Sequence, residues 1–190
     1  MRKSKILMIS GAVLLLTLFV FPLWNITLEA PQYPDDIGMN IWINKISDDK
    51  PNDIKNINLM NHYIGMKEIP ETMPEFELFP YVVISMSVLG IIFGFIGNKK
   101  LFLLWFVIMI ILGTIGLYDF YLWEYDYGHN LNPMAAIKIP GQGYQPPLIG
   151  SKQILNFNAI SMPRAGAYFL FLGIFLSLAS FFVAKKEEAK

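Results

Sequence analysis

The most constraining feature of this chain is a set of four apolar stretches, at residues 6–24, 79–97, 101–118 and 165–184. Each has about the 20 residues that an α-helix needs to cross the hydrocarbon core of a bilayer. The sequence therefore predicts one α-helical membrane domain over residues 1–190, built as a four-helix transmembrane bundle. The two long loops, 25–78 and 119–164, are expected to form a small mixed α/β extracytoplasmic cap.

The first stretch follows three basic residues and has two interpretations, a cleaved signal peptide or a retained anchor. A cleavage site needs small residues at the end of the apolar run. Here Phe21, Leu23 and Trp24 occupy that end instead. We expect a retained anchor, with Trp24 at the outer membrane interface, where amphipathic rings collect.

The distribution of charge predicts the orientation. The N-terminus, the link at 98–100 and the C-terminal tail together carry eight Lys or Arg and two acids, whereas the two long loops carry seven and thirteen. Basic residues in short segments mark the cytoplasmic side. We expect both termini in the cytoplasm and both loops outside a bacterial inner (cytoplasmic) membrane. Without a basic patch in the loops, no nucleic-acid partner is expected, and the lipid bilayer is the predicted partner.

The outer loops carry patterns typical of folded structure. Apolar and polar residues alternate over 39–46 and 153–160, which predicts two strands in one small sheet. Ile54, Ile57, Leu59 and Met60 suggest a short helix or turn, and His62 and Met66 would share a face if 58–66 is helical. The third span is expected to continue as a helix that stops at Gly128. Prolines at 70, 74 and 80 predict an extended return to the second span.

Imidazole and thioether groups are concentrated near two positions of the loops. The chain has two histidines, His62 and His129, and methionines flank the first of them. The candidate metal ligands are His62, Met66, His129, Met60 and Asp126, with the carboxylate of Glu124 nearby. Such a set suits copper(I), or copper(II) through imidazole and carboxylate. The alternative is that each histidine is a hydrogen-bonded structural residue.

A second unusual position is Asp119, at the outer end of the third span. Ionisable residues near hydrocarbon usually face a bundle interior or a polar partner. Asp119 and Asp126 lie nearly two helical turns apart, so with Trp123 between them they are candidates for lining an outer vestibule. The alternative is an ion pair between Asp119 and Arg164 at the membrane surface.

Four blocks carry a resemblance to a known group of proteins. They are Ala30–Pro34, Asn61–Met66, Tyr118–Asn130 and Tyr144–Gly150. Over nearly the whole chain, these blocks resemble a poorly characterised family of small four-span bacterial membrane proteins. That family is associated with gene neighbourhoods for nitrous-oxide reductase maturation and copper delivery. The resemblance implies copper as the cofactor or cargo, and it implies no ligand set.

The leading hypothesis from the sequence is an accessory protein that handles copper on the periplasmic face and transfers it to a periplasmic copper chaperone or copper enzyme. A second hypothesis is a non-catalytic assembly protein whose cap docks another protein. Its aromatic anchors would be Tyr33, Trp42, Tyr125 and Tyr144. A third is a membrane-embedded oxidase subunit that uses the same histidines and carboxylates.

Overall fold

The computed structural model describes residues 2–139, 141 and 143–189. Its elements, in chain order, are α1 (Lys3–Leu14), a 3-10 helix (Leu15–Phe19), β1 (Trp24–Glu29), β2 (Ile37–Ile41), β3 (Ile46–Asp48), α2 (Asp53–Ile64), α3 (Pro74–Ile96), α4 (Lys99–His129), β4 (Gly150–Ile154), β5 (Phe157–Pro163) and α5 (Ala165–Glu188). Met1, Pro140, Gln142 and Lys190, which the predicted domain includes, lie outside the described residues.

Three of the described helices, α3, α4 and α5, are long and apolar enough to cross a membrane. They support the prediction of a transmembrane protein, but a fourth helix of this kind is not supported. The first apolar stretch is α-helical for only 12 residues and then tightens into the five-residue 3-10 helix. Trp24, the last residue of the predicted span, belongs to the sheet, where it pairs with Ile41 and Pro163.

The helices pack closely around small side chains. A Cβ atom added at Gly11 would lie 2.7 Å from the carbonyl oxygen of Gly173, so α1 and α5 approach each other backbone to backbone. On the other side of α1, a Cβ at Gly90 of α3 would lie 2.6 Å from the Cβ of Ala12. Small residues allow this proximity, as they do in membrane bundles generally.

The basic segments of the sequence meet at one end of this bundle. The Ser4 hydroxyl donates to the Glu187 carboxylate at 2.6 Å, and the Lys5 ammonium donates to the Phe95 carbonyl at 2.7 Å. Lys99 and Glu188 form an ion pair there as well. The N-terminal residues, the α3–α4 turn and the end of α5 therefore lie together, with the sheet at the opposite end.

Helix α4 is longer than a membrane crossing requires. Its 31 residues extend about 46 Å, whereas the hydrocarbon core is about 30 Å thick. We take the apolar residues 101–118 as its membrane-spanning part, and the polar end from Asp119 onward projects into the cap. The predicted continuation of the helix is confirmed, but its end is not at Gly128. The helix runs one residue further, to His129. Gly128 is used for packing and does not cap the helix, since a Cβ atom there would lie 2.3 Å from the Gln145 nitrogen.

The cap contains a five-stranded antiparallel sheet in the order β3-β2-β1-β5-β4. It joins strands of both loops, which confirms the prediction of one small sheet. The predicted bounds were too long, because each alternating segment contains a turn. Segment 39–46 turns where the Trp42 N–H donates to the Lys45 carbonyl at 2.8 Å, and segment 153–160 turns at Leu155, whose φ is 55°.

Helix α2 is fixed to the sheet by a buried carboxylate. Asp53 accepts hydrogen bonds from the backbone N–H groups of Gly38 at 2.8 Å and Lys50 at 3.0 Å. The helix ends at Ile64, before Gly65 in the left-handed conformation with φ of 82°. The predicted extended return to the membrane ends early, since α3 begins at Pro74, whose fixed φ suits the first position of a helix.

Replacing Asp53 with alanine tests this anchor. We expect Asp53→Ala to lower the free energy of unfolding by about 2–3 kcal/mol, because a buried N–H group (Gly38) and a partly buried one (Lys50) lose a charged acceptor. Unfolding of the detergent-solubilised chain, followed by tryptophan fluorescence, measures the change. Asp35→Ala, at an exposed carboxylate in the turn before β2, is the control, and an equal loss in both variants would contradict the assignment.

Candidate functional site

A small cavity lies in the cap, between the sheet, α2 and the projecting end of α4. Its volume is about 50 Å³. Most of its wall is apolar, and the lining residues include Ile26, Leu28, Ile57, Ile69, Tyr127, Tyr144, Ile154 and Phe157. A single water needs roughly 10–15 Å³ measured in this way, so the cavity has room for an ion or a few waters.

Glu124 of α4 is the acidic group in this cavity. The residue is 1% exposed, and neither carboxylate oxygen has a hydrogen-bond partner among the described residues. Burial in these apolar surroundings raises the pKa of Glu124 from its ordinary 4.5 to about 8. Buried polar groups are nearly always hydrogen-bonded, so an unpaired carboxyl indicates a functional role or a bound species.

Three methionines line the same cavity. Met39 projects from β2 and is buried, Met60 from α2, and Met66 follows the end of α2. The left-handed Gly65 turns the chain back so that the Met66 N–H donates to the Asn61 carbonyl at 2.9 Å. Met60 and Met66 are half-buried, so they lie between the cavity and the surface.

The structure places the two histidines elsewhere. His62 is exposed, does not line the cavity, and has the ring of Tyr63 as a neighbour at 6.1 Å between centroids. The sequence predicts that His62 and Met66 share a helix face if 58–66 is helical. They do not, because α2 ends at Ile64 and Met66 is turned inward.

His129 makes structural contacts at the end of α4. Its Nδ1 lies 2.9 Å from the Tyr125 carbonyl, and because a carbonyl can only accept, Nδ1 carries the hydrogen. The ring stacks on that of Tyr125 with centroids 4.1 Å apart. Its other face is close to Gly143, where an added Cβ would lie 2.7 Å from Nε2. These contacts match the structural alternative considered from the sequence.

The remaining predicted residues separate into two environments. Asp126 is exposed and pairs with Lys67 at 2.5 Å, and this hydrogen bond from Lys67 lowers the pKa of Asp126. Asp119 and Trp123 line a different, larger cavity toward the membrane, so the predicted vestibule contains these two residues but not Asp126. Among the described residues, Asp119 forms no ion pair with Arg164.

Sequence reasoning missed Met39 as a site residue. Its position in the alternating segment was the available signal, because Met39 stands at an apolar position of that pattern. Within the described part of the chain, no three His, Asp or Glu side chains come together as a metal site would require. The grouping around Glu124 is therefore one of thioethers with a single carboxyl.

Comparisons of the chain with protein-family models, curated proteins and solved structures found no match. The resemblance to the family associated with nitrous-oxide reductase maturation stays a prediction.

The buried carboxyl predicts a pH-dependent stability. Between about pH 4.5 and pH 8 the folded chain holds a proton on Glu124 that the unfolded chain releases, so the free energy of unfolding should fall as the pH rises through this range. The contribution is fully present below about pH 4.5 and lost above about pH 8. Thermal unfolding of wild type and Glu124→Gln across this range measures the difference. Parallel stability curves for the two proteins would contradict the prediction.

Proposed function

We propose that this protein is a membrane-anchored accessory protein that binds copper(I) in the cap cavity. It transfers the ion to a periplasmic copper chaperone or to a secreted copper enzyme such as nitrous-oxide reductase during maturation. The observation that carries this proposal is the grouping of Met39, Met60, Met66 and the unpaired Glu124 around one cavity of about 50 Å³. The resemblance of the sequence blocks supports the same cargo.

The chemistry of the donor set fits copper(I). Thioethers are soft ligands that select this ion over the hard divalent cations. When the ion binds, Glu124 releases its proton, and the resulting carboxylate supplies the single negative charge that balances a monovalent cation. A buried charge is tolerable when it is paired in this way. Met39, Met60, Met66 and Glu124 are the residues that would hold the ion. The chain has no cysteine, so the ligand set contains no thiol that an oxidising compartment could convert to a disulfide.

Transfer requires a route between the cavity and the surface. Met60 and Met66 are half-buried, whereas Met39 and Glu124 are buried, so the donors run from the interior to the exterior of the cap. The cavity is also lined by Tyr144 and Pro146 of the segment after α4. The Tyr144 N–H donates to the Gly128 carbonyl at 2.9 Å, which fastens this segment over α4.

A copper(I) titration against a chromogenic chelator tests the cavity. Purified full-length protein should bind one copper(I) ion, and Met60→Leu/Met66→Leu should weaken the affinity more than about 100-fold. Loss of an outer-shell partner alone typically costs 10–100-fold. Leucine for methionine conserves volume and usually costs less than about 1.5 kcal/mol of stability, so the variant should remain folded.

Two controls separate this ligand set from the one expected from the sequence. Met134→Leu alters a methionine that is 83% exposed and should leave the affinity unchanged. His62→Ala/His129→Ala tests the histidines. If this variant loses copper and the methionine variant does not, the cavity is not the site. If wild type binds no copper(I), the function is wrong and docking becomes the leading proposal.

We further propose that the first apolar stretch crosses the membrane, giving four crossings with both termini in the cytoplasm of a bacterial inner membrane. The Gly166 N–H donates to the Pro22 carbonyl at 2.9 Å near one end of α5, while Ser4 contacts Glu187 at the other. The stretch therefore runs the length of α5. With about 1.5 Å per residue in α1 and 2.0 Å in the 3-10 helix, it spans about 28 Å.

Reporter fusions test this topology. Fusions after Asn98 and after Lys190 should be cytoplasmic, and fusions within 45–55 and 138–152 should be external, because basic residues in short segments stay inside. Enzymatic reporters active on only one side of the membrane give the measurement. An external C-terminus would contradict four crossings.

The alternative function is a non-catalytic docking protein, and exposed apolar side chains in the cap favour it. Met134 is 83% exposed and Ile149 is 62% exposed. Of the anchors expected from the sequence, Tyr125 is exposed whereas Tyr144 is buried and unsuited to this role. Binding of a partner protein that persists in Met60→Leu/Met66→Leu would favour docking over copper transfer.

A further inference from the structure

A second cavity lies below the sheet, between the cap and the helices. Its volume is about 460 Å³, within the roughly 300–1,000 Å³ typical of ligand pockets. Its walls come from α3, α4 and α5, and its roof from the sheet and Trp123. The lining side chains include Phe79, Val82, Met86, Met109, Leu112, Leu170 and Ile174, with Trp24, Trp42 and Ile46 above them.

The cavity exists because two consecutive helices diverge. Helix α3 packs mainly against α1, whereas α4 packs mainly against α5. The Trp105 indole N–H donates to the Met86 carbonyl at 2.9 Å and joins α4 to α3 in the half of the bundle farther from the sheet. Between this contact and the sheet, α3 and α4 are separated, and the cavity lies in the space between them.

Two glycines of α4 keep this space free. A Cβ added at Gly113 or Gly116 would meet nothing within 4 Å, and both residues line the cavity. Unlike Gly90, neither glycine serves close helix packing, because neither lies against a neighbouring helix. Glycine is a poor helix former, so two of them without a packing role indicate that the space itself matters.

Carboxylates stand at the end of the cavity nearest the cap. Glu75 at the start of α3 and Asp119 of α4 line it and lie close enough for their charges to interact. The Glu75 Oε2 atom is buried and has no hydrogen-bond partner among the described residues. Two neighbouring carboxylates in an apolar setting favour a cationic hydrogen-bond donor.

The surroundings indicate where an occupant comes from. Most of the lining belongs to apolar helix segments at the depth of residues 101–118, our membrane-spanning part of α4. Ile115 and Phe171 line the cavity and are 57% and 54% exposed, so the cavity opens between helices onto the hydrocarbon. An acyl chain can enter from that side without passing through water.

We propose that this cavity binds a membrane lipid with an amine headgroup, such as phosphatidylethanolamine, with an acyl chain between α3 and α4 and its ammonium group at Glu75 and Asp119. This inference is independent of the copper function, because the lipid and copper sites have different proposed ligating residues. The acyl chain would fill the space between the diverging helices, and the ammonium group would form ion pairs with the two carboxylates.

Native mass spectrometry of the full chain from nanodiscs of defined composition tests the proposal. Wild type should retain phosphatidylethanolamine about tenfold more than phosphatidylglycerol, since hydrogen bonds to charged groups carry that much selectivity. Gly113→Leu/Gly116→Leu should lose retained lipid, because leucine side chains fill the space. Leucine is a better helix former than glycine, so this variant should fold.

Matched variants test separately the part of the cavity that would hold the acyl chain and the part that would hold the headgroup. Val107→Leu enlarges an exposed side chain of α4 outside the cavity and should retain lipid as wild type does. Glu75→Gln/Asp119→Asn should keep the acyl chain but lose the tenfold preference. Equal retention of both lipids by wild type, retention of a quinone instead, or unchanged retention in Gly113→Leu/Gly116→Leu would each overturn the proposal.

Discussion

The length of α4 determines much of this architecture. A helix that is about 46 Å long cannot end inside a hydrocarbon core of about 30 Å, so its polar end must project and be covered. The sheet and α2 provide this cover, burying Tyr127 and Glu124. The carboxyl that defines the cap cavity is thus placed by the same helix that forms a wall of the membrane cavity. Trp123, between the two, lines both.

The coarse fold could be predicted because hydrophobic burial leaves periodic signals. Long apolar runs gave the membrane helices, and alternation gave strands of one sheet. The residues at which individual helices and strands begin and end could not be predicted, because they depend on contacts with residues distant in the chain. Trp24 ends an apolar run, yet pairing with Ile41 and Pro163 places it in a strand. Gly128 resembles a helix cap, yet its lack of a side chain is used for contact with Gln145.

The chemical types of ligand at the candidate site could be predicted from the sequence better than the particular residues that form it. Met60, Met66 and Glu124 were identified because they lie near the histidines in the sequence, and in the structure they line one cavity. The histidines attracted attention because imidazole is a versatile ligand, but sequence cannot tell which side of α2 faces the sheet. His62 lies on the outer side. The alternating pattern places Met39 on the apolar side of its strand, but it joins the group only because β2 packs against α2, and the local sequence does not indicate that contact.

The position of β1 has a consequence for the order of assembly. This strand lies at the centre of the sheet, between β2 and β5, although it is the first strand to be synthesised. It can form a hairpin with β2 early, but Trp24 pairs with Pro163, near the end of the chain. Until β5 has been synthesised, β1 has an unpaired edge, and such edges are prone to wrong pairing. The cap therefore closes late in biogenesis, after all but the last membrane helix has emerged from the ribosome.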